Sequence, residues 1–311
     1  MNEKTLNRKY FLYILLYIGI LLVTVFVPFL QLLTIMLLPI PVVLLLLRYH
    51  RSLFLLAIGI VTLFSFIVFP VLSLPNSLIA ILGGTMIGFS MKKRQHPYET
   101  WSKGTMGFLL GLVGVYAYVE AVLGISIREV YTNTMDESLQ MTEQIIQMLG
   151  VSQLSAEDLN LIREQMLAFL QLLPVVLVVV SMVIAIITQW LCYKWINHNK
   201  EEKYSFPPFR KFQLPKLVLW IYFLTLIFSL FSGDSGFSQM ILLNVSNLAG
   251  ILLILQGLSF VFHYSYVKAK SKALPVISIL VVIFFPVIGL YLMRILGIID
   301  LGFELKKRVS E

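Results

Sequence analysis

An all-α fold, a polytopic transmembrane helix bundle of about eight or nine spans with an extracytoplasmic helical hairpin, follows from three observations. The run from Phe11 to Leu47 passes thirty-seven residues without a charged side chain. The 311-residue chain is 59% apolar and 13% charged, with a mean hydropathy of +0.89, which is more hydrophobic surface than a soluble domain of this length can bury. Eighteen of its 24 lysines and arginines fall in five short segments between apolar runs, against two in the loops expected on the other side. That bias marks cytoplasmic loops and places the N-terminus in the cytoplasm. The net charge of +8 is therefore explained by topology. With no basic, aromatic-interleaved soluble domain beside it, nucleic-acid binding is not expected.

A helix crossing the roughly 30 Å hydrocarbon core needs about 20 residues, so Phe11 to Leu47 must fold back. Pro28 supplies the turn, and Leu38-Pro39-Ile40-Pro41 makes the second span irregular up to Arg48. The run after Lys9 far exceeds a signal-peptide core, and no small-x-small cleavage site follows it, so it reads as an anchor. A third span extends from about Ser52 to Pro70. An uncharged turn is expected at Leu74-Pro75-Asn76, then a fourth span to Met91, stopped by Lys92-Lys93-Arg94. Gly84-x-x-x-Gly88 in the fourth span and Gly107-x-x-x-Gly111 in the fifth, Thr105 to Ile125, predict that these two helices touch, since small residues four apart let backbones approach. Residues 1–126 form the expected N-terminal bundle.

Residues 127–167 differ in kind, with seven acids against Arg128 and Arg163. Thr134-x-x-Glu137 fits a capping box starting a helix that Gly150 ends, and Ser155-Ala156-Glu157-Asp158 starts a second. An acidic hairpin outside the membrane results, either a solvated connector or a docking element. Residues 168–311 hold the remaining spans. The second hairpin helix continues into a sixth span, Phe169 to Trp195, with Pro174 as a kink and Trp190 and Trp195 at its cytoplasmic interface. The basic loop 194–216 contains Phe206-Pro207-Pro208-Phe209-Arg210-Lys211, which the prolines keep extended. A seventh span covers Leu217 to Phe231, and a turn falls at Gly233-Asp234-Ser235-Gly236. An eighth span runs from Ser238 to Phe262, closed by Lys268, Lys270 and Lys272. The last apolar segment, Leu274 to Ile299, admits two readings: a single crossing with the C-terminus outside, or a kinked or re-entrant segment at Pro286 that returns Lys306-Lys307-Arg308 to the cytoplasm.

Ionisable and amide groups within spans are the candidate ligand-binding residues, because such groups are costly in lipid. They are Glu120, Arg294, Asn244 and Asn247. Glu120 and Arg294 either pair or reach the interface separately, and Asn244 and Asn247, three apart, share a helix face that fits helix glue or a polar ligand. Gln256 and His263 lie further along the same span. Phe206, Phe209, Arg210 and Lys211 are the candidate partner-docking residues. The four histidines show no metal-ligand spacing, and Cys192, the single cysteine, reads as packing. Without a phosphate loop, a nucleophile elbow, HExxH or clustered carboxylates, neither an enzyme nor a cofactor is expected.

Two motifs carry a resemblance. Phe206-Pro207-Pro208-Phe209-Arg210-Lys211-Phe212-Gln213-Leu214-Pro215-Lys216-Leu217-Val218-Leu219-Trp220 is similar to the central signature of the YybS-like family, uncharacterised polytopic membrane proteins of Firmicutes. Gly297-Ile298-Ile299-Asp300 followed by Phe303-Glu304-Leu305-Lys306 is similar to its C-terminal pattern. The resemblance implies a multi-pass protein of the bacterial plasma membrane and no established activity. The N-terminal half also resembles, at fold level, the substrate-capture components of energy-coupling transporters and the rod-shape protein MreD. Against capture stands the absence of an Ala-x-x-x-Ala face in Tyr10 to Val27. Two readings result: a transport-related, ligand-binding membrane protein, or a non-catalytic scaffold of the cell envelope. The expected partners are the lipid bilayer and either a membrane protein or a small-molecule substrate.

Overall fold

The computed structural model describes residues 3–148, 156–198, 203–231, 236–269, 271 and 273–310. Among them every regular element is helical. The expected stop at Gly150 and start at Ser155, the turn residues Gly233 to Ser235, and Lys270 and Lys272 lie outside the described residues. Packing divides the chain into two units, Met1–Leu170 with Val176–Phe206, and Gln171–Val175 with Pro207–Glu311.

The first unit opens with α1 (Glu3–Phe26), a 3-10 turn at Pro28–Leu30, α2 (Gln31–Leu37) and α3 (Pro39–Arg48), so the long apolar run folds back at Pro28. It continues with α4 (Arg51–Ile67), α5 (Pro70–Lys92) and α6 (Pro97–Ala121). The expected turn at Leu74-Pro75-Asn76 is helix. The chain reverses at Val68 and Phe69, where Phe69 adopts φ 53. Pro70 starts α5, and Pro75 sits early enough that it removes a single backbone donor, while Asn76 Nδ2 bonds the Leu72 carbonyl at 2.8 Å.

α5 and α6 touch, but their glycine pairs do not face each other. Gly107 and Gly111 receive Leu82 and Ile79 of α5, whereas Gly84 and Gly88 receive Pro39, Val42 and Leu46 of α3. The contact between α5 and α6 is completed by Gly83, whose missing side chain makes room for the buried Phe108 ring. The fourth span is therefore small-faced on two sides, one for each neighbour.

The hairpin comprises α7 (Ile127–Met148) and α8 (Ala156–Gln171). Helix α7 starts seven residues before the expected cap. The Ser126 hydroxyl accepts from the Glu129 backbone N–H at 3.3 Å, so the start is Ser126-x-x-Glu129, and Thr134 lies inside the helix. The Tyr131 hydroxyl donates to the Met166 carbonyl and Arg163 pairs with Asp136, which aligns the two helices antiparallel. The chain then breaks at Leu172 and runs on as α9 (Leu173–His198), with Pro174 at the junction.

The second unit contains a 3-10 turn at Phe209–Lys211 in an otherwise non-helical segment, as the prolines require. There follow α10 (Leu217–Phe231), α11 (Phe237–Tyr264), a π-helical turn at Ser265–Ala269, α12 (Ala273–Phe284), α13 (Pro286–Phe303) and α14 (Leu305–Ser310). Gly289 lies against Val281 and Val282, so the chain doubles back at Phe285 and Pro286 instead of crossing once. Contacts between α11 and the α13–α14 segment climb together along both stretches: Gly250 with Arg294, Gln256 with Asp300, Ser259 with Lys306 and His263 with Ser310. The two stretches thus run parallel, with α12 as the return. A Cβ on Gly257 would overlap the Met293 carbonyl and one on Gly297 the Leu253 carbonyl, so these backbones are in contact. Of the two readings of the last apolar segment, the re-entrant one holds. The C-terminal helix comes back to the end of the unit that carries residues 207–216.

Among the described residues, seven helical stretches are long and apolar enough to cross a membrane: Arg8–Phe26, Pro28–Arg48, Pro70–Lys92, Pro97–Ala121, Leu173–His198, Phe237–Lys268 and Pro286–Phe303. Three shorter apolar helices are α4, α10 and α12.

Candidate functional site: a buried lysine clasp

The two sequence motifs that carry the family resemblance meet in the second unit around α11. Lys306, on α14, is almost fully buried and points its ammonium at the Phe212 carbonyl at 2.6 Å and the Ser259 hydroxyl at 2.8 Å. Asp300 Oδ2 lies 3.6 Å from the same ammonium, and Asp300 Oδ1 accepts from the Lys306 backbone N–H at 3.0 Å. Gln256, buried on α11, bridges both motifs. Its Nε2 donates to Asp300 at 2.5 Å and its Oε1 accepts from the Leu214 backbone N–H at 2.9 Å. The Ser259 hydroxyl reaches the Phe209 and Phe212 carbonyls at 2.8 and 3.0 Å. A non-helical segment leaves its backbone groups without partners, and here side chains of α11 and α14 satisfy them. Burial lowers the Lys306 pKa from its ordinary value, opposed by Asp300.

At the exposed rim, Glu304 occupies the left-handed position that ends α13, at φ 53, and pairs with Lys216 and Lys307. Hydrogen bonds from these two lysines hold its carboxyl down at about 2. Phe209 stacks with Phe212 and meets Phe262 edge to face. The Arg210 guanidinium lies 3.7 Å over the Tyr266 ring, and Lys211 is exposed beside it. Phe206 belongs to the first unit, where it packs on Tyr98 and Tyr193. Three of the four candidate docking residues therefore sit together.

Of the four candidate ligand residues, Glu120 lies in the first unit and Asn244, Asn247 and Arg294 in the second. Glu120, exposed near the end of α6 in the first unit, accepts from the Tyr116 hydroxyl at 2.8 Å. Asn247 bonds the Leu243 carbonyl of its own helix. Asn244 has a more specific place. Pro174 disrupts the helix at the junction of α8 and α9, and the Asn244 amide stands between the two groups that an unbroken helix would join. Its Nδ2 donates to the Gln171 carbonyl at 2.8 Å, and its Oδ1 accepts from the Val175 N–H at 3.3 Å. Arg294 lies across Gly250, and its Nε is buried with no hydrogen-bond partner among the described residues.

This architecture is that of an all-helical, polytopic integral membrane protein. The chain belongs to the predicted membrane protein family DUF2232, whose profile matches residues 15–301. It is 28% identical over 297 residues, 94% of each chain, to a Bacillus subtilis relative described as uncharacterized protein YybS. The resemblance drawn from the two motifs thus extends along nearly the whole chain. No solved structure matches. Sequence reasoning missed Gln256 and Lys306 as partners. Their signal was the placement of one motif on either side of a buried glutamine, which only the parallel run of α11 and α13 brings together.

Proposed function

We propose that the chain is a non-catalytic interaction protein of the bacterial plasma membrane, with Phe209, Arg210 and Lys211 displayed at the inner face to a partner bearing acidic groups. The observation that carries this reading is the clasp. A segment of irregular backbone is bound at Phe209, Phe212 and Leu214 by buried side chains, so its exposed cation and aromatic are held in one arrangement. Pre-organisation of this kind lowers the ordering cost of association. The side assignment rests on the positive-inside bias.

The test is charge reversal. Arg210→Glu with Lys211→Glu abolishes chemical cross-linking to a discrete partner in native membranes while the purified variant keeps its unfolding midpoint. An unchanged cross-link pattern contradicts the proposal.

A transport-related, ligand-binding role is supported by one feature, the buried Arg294 Nε, which retains a donor inside a span. Under that reading Arg294→Gln removes a co-purifying anionic metabolite and leaves the partner cross-link intact.

A further inference from the structure

In the first unit an apolar groove runs between α1, the α2–α3 span and the C-terminal half of α9. Two adjoining cavities of about 650 and 640 Å³ share Leu16, Ile20 and Trp195. The walls are apolar from Val23 and Leu37 down to Leu12 and Leu191, and Lys194 and His198 stand at one end. Lys194 Nζ lies 5.2 Å from the centre of the Trp190 ring, and Trp190 and Trp195 are both half exposed, as befits an interfacial belt. On α1 the lining residues Leu12, Leu16, Gly19 and Val23 form one stripe, and Lys9, three residues before Leu12, continues it toward the same end.

We propose that this groove is a binding site for an anionic phospholipid, with an acyl chain along Leu16, Gly19 and Ile20 and the headgroup phosphate at Lys194, His198 and Lys9. Charge complementarity selects the occupant. The groove is uncharged along its length, and its basic groups gather at one end, the pattern of a molecule with an apolar tail and one anionic head.

Gly19 allows a clean test, because a side chain added there meets no atom within 4 Å. The full chain is extracted from its native membrane in mild detergent, delipidated gently and examined by native mass spectrometry. Wild type retains an anionic phospholipid, and Gly19→Phe loses it with no change in unfolding midpoint. In nanodiscs containing phosphatidylglycerol and phosphatidylcholine, Lys194→Gln lowers the preference for phosphatidylglycerol about fivefold, the effect of one basic group near the surface. Equal retention by wild type and Gly19→Phe overturns the proposal, as does wild type with no bound lipid or with no headgroup preference. Dissociation of an oligomer by Gly19→Phe overturns it as well, assigning the groove to a protein helix.

Discussion

The two units solve the same problem with different chemistry. The first is held by apolar packing on small residues, with Gly84, Gly88, Gly107 and Gly111 receiving the neighbouring helices and a large buried core around Leu38, Leu44, Leu45 and Phe108. Its buried polar contacts are mostly hydroxyls, such as Ser77 with Ser65, and Thr188 to the Met36 carbonyl in the proline-loosened span. The second unit has smaller apolar clusters and closes on a buried charge. The difference follows from backbone regularity. Where the packed segments are mainly helices, side chains largely fill space, whereas the segment from Pro207 to Lys216, helical only in its 3-10 turn, brings backbone carbonyls inside that only strong donors can satisfy.

The comparison can be broken at the charge. Lys306→Met leaves Asp300 and the Phe212 carbonyl buried without their cation and is expected to cost about 3 kcal/mol, read as a fall in the unfolding midpoint of the purified protein. A near-neutral result would mean that water replaces the ammonium and that the clasp is a surface feature. Next comes the helix crossing. Gly257→Ala pushes α11 against the Met293 carbonyl and costs about 2 kcal/mol, whereas Gly19→Ala, where a Cβ meets nothing, is close to neutral.

Asn244→Leu sharpens the account of the second unit. It removes the amide that spans Gln171 and Val175, and the loss is about 1 to 2 kcal/mol, with faster hydrogen exchange confined to the Leu172 junction. The smallest effect belongs to the first unit. Ser65→Ala deletes one hydroxyl contact, to Ser77, among well-packed helices and costs about 0.6 kcal/mol in the same unfolding assay. If Ser65→Ala proved as costly as Lys306→Met, the contrast between the units would fail.

Much of the fold was legible because membrane constraints write themselves into composition. Span positions, the fold-back at Pro28, the junction at Pro174 and the extended segment at Pro207-Pro208 were all readable from apolar runs and prolines. Local chemistry misled where two sites offered the same pattern. Thr134-x-x-Glu137 and Ser126-x-x-Glu129 are both capping boxes, and the chain uses the earlier one because Gly124, at φ 66, ends the preceding turn. Pro75-Asn76 reads as a turn in isolation and is absorbed into the opening turns of α5. The crossing of Gly257 and Gly297 was hidden, since neither glycine belongs to a four-residue repeat and the two lie on separate helices. In the sequence Lys306 is one of three consecutive tail cations, Lys306-Lys307-Arg308. Net charge says nothing of burial, so the residue that closes the second unit looked the same as its exposed neighbour Lys307.

The most direct test of the clasp is a cysteine pair at Lys216 and Glu304, in a chain whose native Cys192 is replaced by alanine, treated with a short bismaleimide in native membranes. The account predicts an intramolecular cross-link between the two positions, lost when Lys306→Met is added. Absence of the cross-link, with position 304 labelled from the opposite side of the membrane to position 216, would contradict the re-entrant C-terminal hairpin and the clasp with it.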